Sequence, residues 1–349
     1  MSDHARPTLQ LGTTDADLER AAELLRAGGL VALPTETVYG LAVRADDAEA
    51  VVSLFAAKGR PADNPLIVHV ARIADVRLVA REITPLARVL LERLAPGPVT
   101  VVLPARDDLP RAVTGGLDTV AVRIPDHPVM REVLARCALP LAAPSANRSG
   151  RPSPTRADHV LADLDGRIDA VVDAGPTRVG VESTVVDACG SAWRVLREGG
   201  IGRETIAAAL AGTAFEASAP TDGVDDPAGA TGSPGTRHRH YAPSLPVHLA
   251  RRGEGPELAT RLAADTPGAR IGLVAPGAAD APTPPEVRVL AAPRDAAALA
   301  TDLFTLLRTA EEVGVAALVV EAVADQGIGR AVMDRLRRAV SASGGTDAT

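Results

Sequence analysis

An α/β fold in two domains is predicted by three observations. Short apolar runs alternate with amphipathic stretches of helical period, the alternation lapses between 211 and 246 before resuming, and 349 residues exceed one ordinary domain. The first amphipathic stretch, 15–27, is stopped by Gly28 and Gly29 and followed by an apolar strand at 30–33. PTETVYG then turns the chain, and Asp46 and Asp47 announce a helix over 48–57 that delivers Lys58 at its end. Next come a strand at 66–70, a helix at 85–94 capped by Thr84, and strands at 99–103 and 119–124. Asp126 is expected to cap a helix reaching 136, and 141–143 is strand-like. The stretch 211–246 has turn formers and no period, so it is a linker or a functional loop. Beyond it lie strands at 247–249, 270–274, 287–290 and 317–320, with helices at 257–264, 296–313 and 330–340. That is a unit of about the minimal Rossmann-like size.

Composition excludes several classes. A net charge of −7 leaves no overall basic footprint, so any RNA contact must be local. Cys137 and Cys189 form no CxxC pair, which excludes a zinc ribbon and fits a reducing cytoplasm. The opening MSDHARPTLQLG has no apolar signal core, and no run approaches the ~18 apolar residues of a spanning helix, so neither export nor a membrane partner is expected.

Lys58 is the only lysine among 37 lysines and arginines. Asparagine occurs only at Asn64 and Asn147 and tyrosine only at Tyr39 and Tyr241, all in turn-like segments. In a chain so rich in Ala, Arg, Gly and Pro, such survivors mark positions where a commoner residue fails. An ammonium is a compact, movable point charge and a guanidinium a planar fork, so Lys58 is expected to grip oxygens whose charge changes in a reaction. The competing role is a cation at a helix C-terminus, which arginine would fill equally well.

No Walker A sequence is present, and GIGRAV at Gly327 lacks the third glycine of a dinucleotide fingerprint and reads as a turn. Phosphate binding must then come from cations and hydroxyls. PLAAPSANRSGRPSPT leaves a strand and presents Ser145, Asn147, Arg148, Ser149 and Ser153 on one loop, either an anion-binding loop or a connector N-capped at Thr155. In TVAVRIPD, alternation puts Val120, Val122 and Ile124 on one face and Ala121 and Arg123 on the other. An arginine on an inner face needs an anion, whether a structural carboxylate or a ligand's. VGVESTVVD offers Ser183 and Thr184 at a strand start, and VLREGGI sets Arg197 before two glycines, where a Schellman-like stop is the structural alternative.

Taken in order, PTETVYGL, KGRPADNPLIVH, PGPVTVVLP, VAVRIPDHP, APSANRSGRPSPT, GVESTVVD and LREGG resemble the YrdC-like domain of the threonylcarbamoyl-AMP synthase family, and the tail with SPGTRHRHYAP is similar to its longer, Sua5-type members. The resemblance implies a YrdC-like catalytic domain over 1–211 built on a twisted mixed sheet, a linker or active-site lid over 212–244, and a smaller Rossmann-like C-terminal domain over 245–349. It implies a nucleotidyltransferase that converts L-threonine, bicarbonate and ATP, with Mg2+, into threonylcarbamoyl-adenylate and diphosphate. A downstream threonylcarbamoyltransferase would pass the product to adenosine in tRNA.

Carried over by motif, Thr37, His69, Arg123, Ala143 and Ser183 would contact threonine, with Thr35 facing the same pocket. Arg60, Asn64, Thr119, Ser145, Ser153, Arg197 and Tyr241 would contact ATP, and Lys58, Arg60, Ser145 and Asn147 form the family's polar tetrad. The resemblance supplies no metal ligands. The loop 232–246, with Tyr241 beside a basic cluster, is expected to act as a lid. The residues themselves agree with adenylation, because positioning and charge neutralisation require no protein nucleophile. The rivals are a hydrogenase-maturation carbamoyltransferase, which should carry cysteine zinc motifs, and a double-stranded-RNA or tRNA-binding module, which needs dispersed phosphate contacts.

Overall fold

Helix starts are set where a short polar side chain meets an apolar periodic run. The computed structural model describes residues 7–216, 243–278 and 282–349. Thr14 and Asp17 form a reciprocal capping box at α1 (Asp15–Arg26), whose buried stripe is Leu18, Ala21, Ala22 and Leu25. Asp47 caps α2 (Ala48–Lys58) through the Glu49 and Ala50 amides, and Gly59 ends it in the left-handed region at φ 59°. Thr84 caps α3 (Pro85–Leu94). The predicted Asp126 cap is not formed: α5 (Pro128–Cys137) starts after His127 without a side-chain cap, and Asp126 instead pairs with Arg178 at 2.8 Å. Thr155 is likewise not a cap, because α6 (Ala157–Leu164) begins after Arg156.

The strands of the first unit are β1 (Leu9–Leu11), β2 (Val31–Leu33), β3 (Gly40–Arg44), β4 (Ile67–His69), β5 (Val99–Pro104), β6 (Thr119–Arg123), β7 (Leu141–Ala142), β8 (Ala170–Val172), β9 (Thr184–Asp187) and β10 (Arg194–Arg197). They form one mixed sheet in the order β1-β8-β2-β3-β7-β4-β6-β5-β9-β10. Arg197 thus ends a strand, and no Schellman stop is involved. A 3-10 turn (Ile73–Leu78), α4 (Arg111–Thr114) and α7 (Arg203–Leu210) complete this unit. β1, β3, β8 and β10 have no counterpart among the expected strands, and β3, GLAVR, is apolar on both faces and shows no alternation.

Alternation along the central strands decides where chemistry can sit. Val68, Val101, Val120 and Val122 enter the main core with α2 and α3, as expected for Val120 and Val122. The opposite face carries only a small apolar group, Ile67, Val102, Ala121 and Val185. His69, Arg123 and Thr100 are register partners across β4, β6 and β5, so all three side chains emerge on that second face.

The second unit is a four-stranded parallel sheet in the order β11-β14-β12-β13, from β11 (Val247–Ala250), β12 (Ile271–Val274), β13 (Val287–Ala291) and β14 (Ala317–Glu321). Its helices are α8 (Gly255–Asp265), α9 (Ala296–Glu312) and α10 (Ile328–Ser343). Gly327, at φ 53°, is the turn residue just ahead of α10, as read from GIGRAV. Gly150–Pro152 and Val179–Val181 group with this unit. Among the described residues, no helix is long and apolar enough to cross a membrane.

Thr84 tests the capping argument. Its hydroxyl accepts from the Ala87 amide at 3.1 Å and donates to the Ala188 carbonyl at 2.6 Å, in a buried position. Thr84→Ala should cost roughly 1–3 kcal/mol in urea unfolding, and Thr84→Ser distinctly less. Equal losses for both variants would show that the methyl group matters and the cap does not.

Candidate functional site

The turn between β2 and β3 is tied by Thr35. Its hydroxyl donates to the Val38 carbonyl at 2.6 Å and accepts from the Thr37 and Val38 amides at 3.1 and 3.2 Å. Thr35 therefore builds the turn, and Thr37 faces onward, its hydroxyl accepting from Arg123 Nη1 at 2.9 Å. Arg123 Nε also donates to the Gly97 carbonyl at 3.3 Å, and Nη2 lies 2.8 Å from Glu36 Oε2. Both members of that ion pair are buried, at 4% and 1% side-chain exposure.

His69 stands beside Arg123 on the same face. Burial, reinforced by the Arg123 charge, lowers its pKa to about 3, so the imidazole is neutral, and its Nδ1 has no hydrogen-bond partner among the described residues. On the other flank the Thr100 and Ser183 hydroxyls are 2.8 Å apart. Arg197 holds Ser183 by its carbonyl at 2.8 Å and its hydroxyl at 3.3 Å. This packing admits no side chain at Gly199, where a Cβ would lie 2.3 Å from the Ser183 carbonyl carbon and the Thr184 amide nitrogen.

A second wall is the loop after β7. Lys58 is 3% exposed, and its Nζ donates to the Ser145 and Asn147 carbonyls, each at 2.5 Å, while its own carbonyl accepts from the Ser149 amide at 2.9 Å. Two of its three protons are spent on the loop. Burial and the Arg60 charge push the Lys58 pKa well below the lysine range, and Asp163 opposes them. Asn147 Nδ2 donates to the Arg148 carbonyl at 2.8 Å. Arg60 donates to the Asn64 and Pro65 carbonyls at 3.4 and 3.2 Å, folding the KGRPADNP turn on itself.

The two walls are joined by backbone. Gly40 bridges Ser145, the Ala146 amide donates to the Tyr39 carbonyl at 2.8 Å, and the Ala143 amide donates to the Ile67 carbonyl at 3.0 Å. The structure thus brings together Thr37, His69, Arg123 and Ser183 on one side and Lys58, Ser145 and Asn147 on the other, with Ala143 between them. Thr119 shares the Arg123 face from the far end of β6, roughly 13 Å away by strand rise. Ser153 is buried, its hydroxyl donating to Glu182 Oε1 at 2.6 Å. Tyr39, a rare residue not assigned to the site, is a core strut whose hydroxyl donates to the Gly175 carbonyl at 2.7 Å. Tyr241 and most of the expected lid lie outside the described residues.

Sequence reasoning missed Glu36, Thr100, Glu182 and Gly199. Glu36 lies inside PTETVYG, and Thr100 was reachable from the register of β5 opposite Arg123.

Residues 23–199 match the Sua5/YciO/YrdC family model, described as telomere recombination, and residues 201–341 match the C-terminal domain of threonylcarbamoyl-AMP synthase. The chain is 42% identical to threonylcarbamoyl-AMP synthase of Pyrococcus abyssi, over 91% of this chain and 92% of that one. It is 40% identical to the Bacillus subtilis protein of the same name, over 95% of each. The crystal structure of P. abyssi Sua5 complexed with L-threonine aligns with a TM-score of 0.86 at 37% identity, covering 98% of this chain and 99% of that one.

Two outcomes follow from this geometry. Lys58→Arg should fold yet lose activity on the order of 100-fold or more, because a planar fork cannot hold both carbonyls from the same buried point. Wild-type turnover would contradict the role given to Lys58. The second outcome concerns pH. As pH falls below 6.5, the unfolded chain protonates His69 before the folded chain does. The stability contributed by its neutral burial is therefore complete above 6.5 and is lost toward 3, by roughly 1.4 kcal/mol per pH unit. Urea midpoints at neutral and mildly acid pH should fall further for the wild type than for His69→Gln, and parallel falls would contradict the assignment.

Proposed function

Since the chain belongs to the Sua5/YciO/YrdC family and carries the C-terminal domain of threonylcarbamoyl-AMP synthases, we infer that it makes threonylcarbamoyl-AMP from L-threonine, bicarbonate and ATP, releasing diphosphate, for N6-threonylcarbamoyladenosine in tRNA. The reaction is an adenylyl transfer, which makes the chain a nucleotidyltransferase working ahead of a threonylcarbamoyltransferase in the cytoplasm.

The observation that carries this reading is the Gly40–Ser145 bridge. It gives the Arg123 face and the loop after β7 a common wall, which supports reading the one as an amino-acid pocket and the other as an anion loop. The Arg123 fork would bind the threonine carboxylate, with Thr37, Ser183 and the Ala143 backbone completing the cradle and neutral His69 bounding it. Arg60, Asn64, Thr119, Ser145, Ser153, Arg197 and Tyr241 would contact ATP. Lys58 would hold the Ser145–Asn147 backbone in the shape that receives the phosphates, its third proton facing the charge that develops at the α-phosphate. The carbamate oxygen attacks that phosphorus in line and diphosphate leaves, so positioning and charge supply the catalysis.

Among the described residues, no three His, Cys, Asp or Glu side chains stand close enough to cage a metal ion. Mg2+ would enter with the ATP substrate and would neutralise phosphate charge there.

Full-length protein given all three substrates should form threonylcarbamoyl-AMP and diphosphate, and omission of any one should stop both. Arg123→Lys should raise the KM for threonine at least about tenfold with little change for ATP, because the ammonium loses bidentate binding. Serine should be disfavoured by no more than about 200-fold, since a single methyl group separates it from threonine. Diphosphate release without threonine, or no adenylate with all substrates present, would contradict the assignment.

A further inference from the structure

Glu36 is a buried carboxylate short of donors. Its Oε2 lies 2.8 Å from Arg123 Nη2, yet the two groups are not aligned for a hydrogen bond. Neither Glu36 oxygen has a hydrogen-bond donor among the described residues. An ionised carboxylate has about four lone-pair sites, and burying them unused is costly, so an orphaned pair of oxygens in a native site calls for an explanation. Arg123 is otherwise committed to Thr37 and Gly97, and its Nη2 too has no hydrogen-bond acceptor. A cation and an anion therefore stand side by side, each with capacity to spare, one residue from Thr37.

That arrangement is the complement of an α-amino acid zwitterion, whose carboxylate and ammonium are separated by a single carbon. We propose that Glu36 receives the α-ammonium of threonine and takes a proton from it, which generates the amine that attacks bicarbonate. This rests on the site being a threonine pocket. In the step, one N–H bond breaks with its electron pair left on nitrogen, and an O–H bond forms on Glu36. The neutral amine and bicarbonate then give the carbamate and water, and Glu36 returns its proton to solvent once product has left. Glu36 is thereby a catalytic residue, and its pairing with Arg123 is the resting state of the pocket.

The groups facing Glu36 leave the relevant pH range clear. Arg123 on β6 is paired with Glu36, and His69 on β4 is neutral because burial and the Arg123 charge lower its pKa to about 3. His127, at the head of α5, is lowered from 6.5 mainly by burial, with Glu36 opposing and Arg178 assisting, and Asp126 also raises it. Lys58, on the other wall, also has its pKa pushed well below the lysine range by burial and the Arg60 charge, but wild type and the Glu36 variants share it, so a difference between their profiles reports the substrate amine.

The test uses full-length wild type, Glu36→Gln and Glu36→Asp at saturating ATP and bicarbonate, with threonylcarbamoyl-AMP measured from neutral to alkaline pH. Glu36→Gln should reduce kcat on the order of 100-fold at neutral pH. Its rate should then climb about tenfold per pH unit as solution deprotonates the amine, while wild type stays nearly flat. Glu36→Asp, which keeps the charge, should keep the flat profile at a lower rate. Calorimetry should show threonine binding weakened at least tenfold in Glu36→Gln, with binding of a non-hydrolysable ATP analogue unchanged. A Glu36→Gln profile parallel to wild type, at whatever level, would make Glu36 only a counter-ion of Arg123 and overturn the proposal. Should Glu36→Gln fail to fold, Glu36→Asp decides: an unchanged kcat overturns the proposal, and a lowered kcat with a flat profile supports it. If wild type forms no adenylate, the functional reading fails separately, and the threonine calorimetry still judges the ammonium contact.

Discussion

The pocket depends on burying one guanidinium, that of Arg123, inside a sheet. Burying an ion pair is costly, and stripping away one partner commonly costs about 3–5 kcal/mol because the other charge is left stranded. Glu36 and Thr37 supply the counter-charge and a hydrogen bond from a single turn. That turn is held by the Thr35 hydroxyl and by backbone pairing of its far end with the loop after β7. Position 123 is therefore satisfied only when β2, β3, β5, β6 and β7 are all in register. The chemistry of the pocket and the order of the central strands are one constraint.

Lys58 plays the corresponding part for the second wall. In the loop after β7 the ammonium takes the Ser145 and Asn147 carbonyls at once, and the Asn147 side chain takes that of Arg148. This alters the view of Lys58 drawn from its rarity. The residue is special, as its isolation among arginines implied, but most of its hydrogen-bonding capacity is spent on the protein. The general lesson is that rarity marks irreplaceability and does not say what is being held. Tyr39 makes the same point, since it serves as a core strut.

Elements with caps and long apolar stripes were legible from the sequence almost residue for residue. Thr84 with Pro85, and Asp47 with Gly59, announce their helices chemically. Strands β1 and β8 were not read although β2 and β4, equally short, were; β10 was taken for the approach to a helix stop, and β3 was hidden by burial on both faces. Asp126 misled because a good capping residue was drawn instead to Arg178, a partner distant in sequence. The site residues appeared as motif positions, yet their grouping could not be read, because it depends on the register that sets His69 beside Arg123 and Thr100 opposite it. Glu36 was passed over for the same reason. A glutamate in a turn looks solvent-facing until the fold closes over it.

The central claim is that the bare face of the sheet around Arg123 is an amino-acid pocket sharing a wall with an anion loop. A crystal structure of the full chain with L-threonine and a non-hydrolysable ATP analogue tests it most directly. The account predicts the threonine carboxylate on the Arg123 guanidinium and the α-phosphate against the Ser145–Asn147 loop, with Lys58 still bound to both loop carbonyls. Threonine bound elsewhere while Arg123 keeps Glu36 as its sole charged partner, or nucleotide bound away from that loop, would contradict it.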